Sequence, residues 1–265
     1  MRTDFHIRPS RLYLGLMLAL MYLPILFVIV YSFNASKQSA VWSGFTLDWY
    51  RELFRDRSMF EALRNSLVLG LLSSCAAGAV GTLAAVGLAR AKLFGGEAMA
   101  FLSTLPIMAP EIILGMVFLA FFSLIGLPFG MLTLVIAHTA FSIPYVFLMV
   151  KARLAGLDKS LAEAAKDLGA SEARAFWDIT LPLILPAIVS GMLLAFAMSF
   201  DDVIISVFVT GVDTNTLPIK IYSQIKTGVT PKTNALCTLL FFAAAALGLL
   251  SAWAGSPRVQ YKRTQ

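Results

Sequence analysis

Apolar residues in this chain neither alternate nor recur in narrow stripes; they form long runs separated by short polar stretches. Crossing about 30 Å of hydrocarbon takes roughly 20 helical residues. Six runs are long enough: 12–33, 65–89, 98–122, 131–150, 183–208 and 235–254. The pattern predicts an all-α polytopic membrane protein with six transmembrane helices, built as a single membrane domain over residues 1–265 with no soluble module. The first run is longer than the roughly 7–15-residue apolar core of a signal peptide, and no A-x-A-like cleavage site follows it, so it is expected to stay as an anchor.

Composition agrees, since 58% hydrophobic and 14% charged residues lie outside the range of soluble domains. Cys75 and Cys237 both sit within apolar runs and read as small buried hydrophobes. A formal charge of +6 would suit nucleic acid, but Lys and Arg are scattered at the ends of the apolar runs, where a bilayer sorts them, and no nucleic-acid partner is expected. Thirteen of these residues fall on the side that holds both termini and eight on the other, which predicts cytoplasmic termini.

Two outer loops have character of their own. Residues 34–64 carry Trp42, Trp49 and Tyr50, aromatics suited to a membrane interface. Within residues 209–234, Ile221, Tyr222 and Ile225 recur at helical spacing between Pro218 and Gly228. This predicts a short amphipathic helix that either rests on the lipid surface or meets a soluble partner through Tyr222 and Ile225.

On the cytoplasmic side, Ser160 and Glu163 have the spacing of a capping box, and Leu157, Leu161, Ala164 and Leu168 form one stripe. Gly169 is placed to end that helix in a left-handed conformation, and a second short helix is expected from near Ser171 to Pro182. The bilayer does not require such an elbow at 157–182, because two to eight residues would join the flanking helices. Contact with another protein is the reading preferred over a capped surface helix.

Three acids, Glu111, Asp201 and Asp202, lie inside predicted spans that hold no Lys or Arg. A charge at the bilayer centre costs about 2.5–3.5 kcal/mol on insertion scales. A transported cation would supply the missing charge. On a continuous helix, Ser199, Asp202, Ser206 and Thr210 share one polar stripe, which reads as a substrate path or as a polar helix interface. Asp201 would face Leu194, Met198, Ile205 and Phe208 and be mainly structural. Glu111 follows Pro110, so helix cap and path group both stand. His138 reads as a satisfied buried imidazole. The chain has no phosphate loop and no H-E-x-x-H or G-x-S-x-G, so neither an enzyme nor a resident metal or cofactor is expected. A proton-coupled secondary transporter is the competing class.

The stretch "EAAKDLGASEARAFWDITLP" (163–182) resembles the signature of ABC importer permeases: E-A-A, three residues, G, nine residues, I-x-L-P. Glu163, Ala164, Ala165, Gly169, Ile179, Leu181 and Pro182 match it. "PILFVIVYSFN", "MAPEIILG", "SFDDVIISVFVTG" and "TLPIKIYSQIKTGVTPKTNAL" resemble the spermidine/putrescine branch of that family. The resemblance implies a type I ABC importer permease fold, with the elbow as the coupling helix seated in a cytoplasmic ATPase. It also implies a bacterial inner membrane, a second homologous permease in a heterodimer, two ATPase subunits that hold ATP and Mg, and a periplasmic polyamine-binding protein. Polyamine import by alternating access is the implied function. Permeases for other small cations or amines share much of the pattern.

Overall fold

The computed structural model describes residues 9–37, 41–90, 96–158 and 160–255. Arg2, Arg8, Lys92, Lys159, Arg258, Lys262 and Arg263, which carry part of the charge reading, lie outside them. Among the described residues the chain is helical, and the only bridge between extended segments pairs Asn34 with Phe45. It forms two compact units, Met1–Arg57 with Ser223–Gln265, and Ser58–Tyr222.

In chain order the helices are α1 (Pro9–Tyr31), α2 (Asp48–Arg55), α3 (Arg57–Arg90), α4 (Gly96–Leu102), α5 (Leu105–Met108), α6 (Glu111–Leu124) and α7 (Met131–Ala155). They continue with α8 (Ser160–Asp167), α9 (Glu172–Ala175), a π-helical turn (Phe176–Thr180), α10 (Leu181–Asp201), α11 (Ile204–Val209), α12 (Leu217–Thr227) and α13 (Pro231–Gly255). Among the described residues, four segments are long and apolar enough to cross a membrane: Arg11–Tyr31, Arg57–Ala89, Met131–Ala155 and Glu172–Asp201.

Two predicted spans are corrected. The run 98–122 is three helices rather than one. Pro110 has no N–H and disfavours helical geometry at the preceding residue, so Ala109 and Pro110 turn extended, with ψ of 136° and 132°. This leaves α6 with 14 residues, about 21 Å of helix. The run 183–208 breaks after Asp201, where Asp202 takes extended geometry (φ −67°, ψ 127°) before α11 begins.

In the unit Ser58–Tyr222, α7 is the central post. Val146, Phe147 and Val150 pack with Ala77 and Ala85 of α3 and Ile184, Ile188 and Ala195 of α10. Leu134, Ala137 and Phe141 pack with Leu69, Phe122, Ile205 and Val209. The helices approach through small residues, as they must where lipid offers no hydrophobic drive to associate. A Cβ on Gly81 would stand 3.0 Å from the Ile143 carbonyl oxygen and 3.1 Å from the Phe147 nitrogen. One on Gly191 would stand 2.9 Å from the Val146 Cα.

In the other unit, α13 packs against α1 and α2. Lys232 Nζ lies 2.7 Å from Asp56 and 3.2 Å from Glu52. Burial works to lower the Lys232 pKa, but hydrogen bonds and charge from Asp56 and Glu52 outweigh it and raise the ammonium above its ordinary range. Two of the predicted interface aromatics are tied to the end of α1: Trp49 donates to the Asn34 carbonyl at 2.7 Å, and Tyr50 pairs with Ser32 at 2.7 Å. Trp42 remains exposed.

Candidate functional site

The elbow forms as two short helices. Ser160 is already helical, so the expected capping box gives way to a different cap. The Asp158 carboxylate accepts from the Ser160 N–H at 2.9 Å, and hydrogen bonds from the Ser160 backbone and hydroxyl hold Asp158 below the usual carboxylate range. Glu163 sits in the first turn of α8, where an acid suits the helix dipole.

Gly169 has φ +87°, the left-handed value the sequence calls for. Around it the Gly169 N–H donates to Lys166 (2.9 Å) and the Ala170 N–H to Ala165 (3.0 Å), the paired bonds of a Schellman end. Ser171 then caps α9 by accepting from the Arg174 N–H, and Lys166 reaches across the turn to Glu172 at 2.7 Å.

The stripe Leu157, Leu161, Ala164 and Leu168 divides by role. Leu157 packs against the transmembrane core with Phe176 and Leu181, while Leu161 is exposed and Leu168 is 91% exposed beside the turn. Ala164 is exposed and Ala165 half-buried. A cavity of about 370 Å³ lies beneath α8, lined by Leu154, Leu157, Leu161, Ala175, Ile179 and Leu183, with Asp158, Glu163, Lys166 and Glu172 among its polar walls. Leu181 and Pro182 open α10, and Arg153 at the end of α7 donates to the Leu183 carbonyl at 3.0 Å. That bond joins the two long helices flanking the elbow, and Leu157 and Phe176 of the elbow pack against their core.

The acids are arranged differently from the helical-wheel expectation. Asp202 caps α11, accepting from the N–H groups of Ile205 (3.2 Å) and Ser206 (2.8 Å) and from the Ser206 hydroxyl (2.7 Å). It is 9% exposed, and His138 Nε2 stands 3.4 Å from its carboxylate. The expectation that Asp202 has no partner within the spans is therefore corrected, because it weighed only Lys and Arg. Ser199 and Ser206 are buried in the same cluster.

Asp201, expected against an apolar face, is exposed instead. The helix ends at this residue, so positions after it no longer continue the wheel. The Asp201 side chain makes no hydrogen bond or ion pair among the described residues. Glu111 opens α6 and is exposed.

Helix α12 starts from Leu217, buried and donating its N–H to Ser66 at 2.8 Å. Tyr222 and Ile225 are 43% and 53% exposed, and Gly228 ends the segment at φ +113°.

Sequence reasoning missed Asp158, Ser73 and the pairing of His138 with Asp202. An Asp two residues ahead of a short apolar stretch was the visible signal for a cap at Asp202. Nothing local marked His138 as its partner.

A family model described as binding-protein-dependent transport system inner membrane component matches residues 77–255. The chain is 42% identical over 250 residues to the putrescine transport system permease protein PotI of Escherichia coli (strain K12), covering 92% of this chain and 89% of that protein. It is 40% identical over 233 residues to the spermidine/putrescine permease PotC of Haemophilus influenzae, covering 88% and 91%. Among solved structures, a bacterial ABC transporter that imports the acidic polysaccharide alginate superposes with TM-score 0.68 at 15% identity, covering 95% of this chain and 98% of that one. That likeness concerns the fold, which is the ABC permease fold. With its matched signature, its tethered elbow and this relationship across most of its length, the chain belongs to the binding-protein-dependent transport system inner membrane components, the permease subunits of ABC importers rather than enzymes.

Proposed function

We propose that this chain is the permease that passes polyamines, putrescine or spermidine, from periplasm to cytoplasm across a bacterial inner membrane, with both termini cytoplasmic and residues 1–265 acting as one permease domain. It works as a heterodimer with a second, similar permease, on two ATPase subunits that carry ATP and Mg, and receives its cargo from a periplasmic polyamine-binding protein. The observation that carries the reading is Asp201: an exposed carboxylate closing an apolar 21-residue helix without a partner among the described residues. A carboxylate so placed is met by water or by a cation. An alkyl-diammonium suits it, and the two named polyamine relatives support that choice.

In this reading Asp201 and Glu111 attract the cation. Asp202, Ser199 and Ser206 belong to the path through the helix break they build. Glu163, Ala164, Ala165 and Gly169 meet the ATPase, with Leu168 as an exposed apolar contact, while Ile179, Leu181 and Pro182 carry movement into α10. Tyr222 and Ile225 meet the binding protein. The path opens outward when the ATPases close on ATP and resets on hydrolysis, a rigid-body motion that a tethered elbow transmits without absorbing. A proton-coupled secondary transporter would have no use for such an elbow.

Uptake of labelled putrescine and spermidine by the reconstituted complex tests the reading. ATP-dependent uptake that requires the binding protein is expected. Stimulation by a different amine or small cation, with neither polyamine moved, would overturn the substrate assignment.

A further inference from the structure

His138 is fully buried on α7, yet both its ring nitrogens face polar groups across the break between α10 and α11. Nδ1 lies 2.7 Å from the Ser199 hydroxyl, in the last turns of α10. Nε2 lies 3.0 Å from the Ser206 hydroxyl, in the first turn of α11, and 3.4 Å from Asp202. Ser73 of α3 joins the cluster at 3.1 Å from Ser199. One ring thus spans the break, with a bond to the helix on either side.

The bonding can be followed atom by atom. The Asp202 carboxylate accepts from the Ser206 hydroxyl and two backbone N–H groups. With that hydroxyl proton directed at Asp202, the Ser206 oxygen is left to accept from Nε2–H. Nδ1 then accepts from the Ser199 hydroxyl. Every polar group in the cluster has a partner, which is the condition for a buried polar network to hold one geometry. The break itself contains neither Pro nor Gly, since Asp201, Asp202 and Val203 run through it. Its shape is set by the Asp202 cap and by what holds that cap from outside.

We infer that His138 is a positioning residue for translocation: it clamps the α10–α11 break and so fixes where the Asp201 carboxylate stands. The inference rests on the reading of Asp201 as a cation-attracting group. His138 itself touches no substrate; it acts through the angle between two helices. Removing the clamp leaves Asp202 with its own helix cap, so α11 still forms, but the end of α10 loses its tie to α7.

The test uses the full reconstituted complex with its binding protein and labelled putrescine. Uptake per ATP hydrolysed is measured together with the amount of assembled complex. Four variants are compared. His138→Phe keeps a ring and removes both bonds. His138→Gln retains a donor toward α11. Ser199→Ala cuts the α10 end of the clamp together with the bond to Ser73, and Asp201→Asn tests the underlying reading. Loss of a buried hydrogen bond should lower uptake per ATP roughly fivefold in Ser199→Ala, and more in His138→Phe, with His138→Gln between Phe and wild type. Assembled complex should remain near the wild-type amount in Ser199→Ala.

Wild-type uptake per ATP in both His138→Phe and Ser199→Ala, alongside a defect in Asp201→Asn, would overturn the clamp and leave the path reading standing. A defect in Asp201→Asn together with losses in the other variants that only follow the amount of assembled complex would make His138 a structural residue and overturn the inference. Wild-type uptake by Asp201→Asn would remove the path reading and the inference with it.

Discussion

Gly169 is the sharpest place to test coupling, because the structure separates the two reasons a glycine can be required. A Cβ there would meet no atom within 4 Å, so space is not the reason. The backbone is, at φ +87°. An ordinary L-residue held left-handed costs roughly 1–2 kcal/mol, and a β-branched one more. Against that stand the two Schellman bonds, at about 0.5–1.5 kcal/mol each, which survive only while residue 169 keeps this conformation. Alanine therefore comes near break-even and valine favours the opened turn, which would swing Leu168 and α9 away from their present directions. A penalty of 1–2 kcal/mol depletes the intact elbow roughly 5- to 30-fold. Uptake per assembled complex should fall in the order Gly, Asn, Ala, Val, with Asn mildest because it tolerates the left-handed region. The assay is polyamine uptake by reconstituted complex, with the ATPase that co-purifies quantified on the same samples. Normal uptake and normal ATPase yield from Gly169→Val would refute the argument that this turn transmits the stroke.

Other expectations rest on separate parts of the molecule. Gly81→Ala should lower the thermal stability of the purified complex by about 1–3 kcal/mol, because its Cβ meets backbone atoms of α7 at 3.0–3.1 Å. Gly15→Ala, with nothing within 4 Å, is the control, and equal melting temperatures for the two would contradict the close approach of α3 and α7. Lys232 has its pKa raised above 10.5, so the stability it contributes is present below that pH and lost as pH rises through the higher, folded-state value. Melting temperature should drop on that alkaline limb in wild type, and Lys232→Met should flatten it. Tyr222→Asp should reduce the stimulation of ATP hydrolysis by loaded binding protein more than the unstimulated rate; proportional losses would put the contact elsewhere.

What the chain order alone determines here is whatever depends on neighbours in sequence. Hydrophobic length is a local sum, so the apolar runs announce membrane helices. The turn at Gly169 needs only a residue without a Cβ at the end of a helical stripe. The E-A-A to I-x-L-P elbow is contiguous, so its spacing could be matched directly. Tertiary structure decides the rest. Pro106 and Pro110 are visible in the sequence, but their apolar neighbours conceal that one run becomes three helices. The break after Asp201 contains no helix breaker at all; Asp202 turns extended there and caps a new helix, with His138 of α7 bonded to the helices on both sides. The two aspartates consequently sit in environments other than those a continuous helical wheel assigns them, with Asp202 buried and Asp201 exposed. A wheel assumes that the helix continues, and only packing between α7, α10 and α11 determines where it stops.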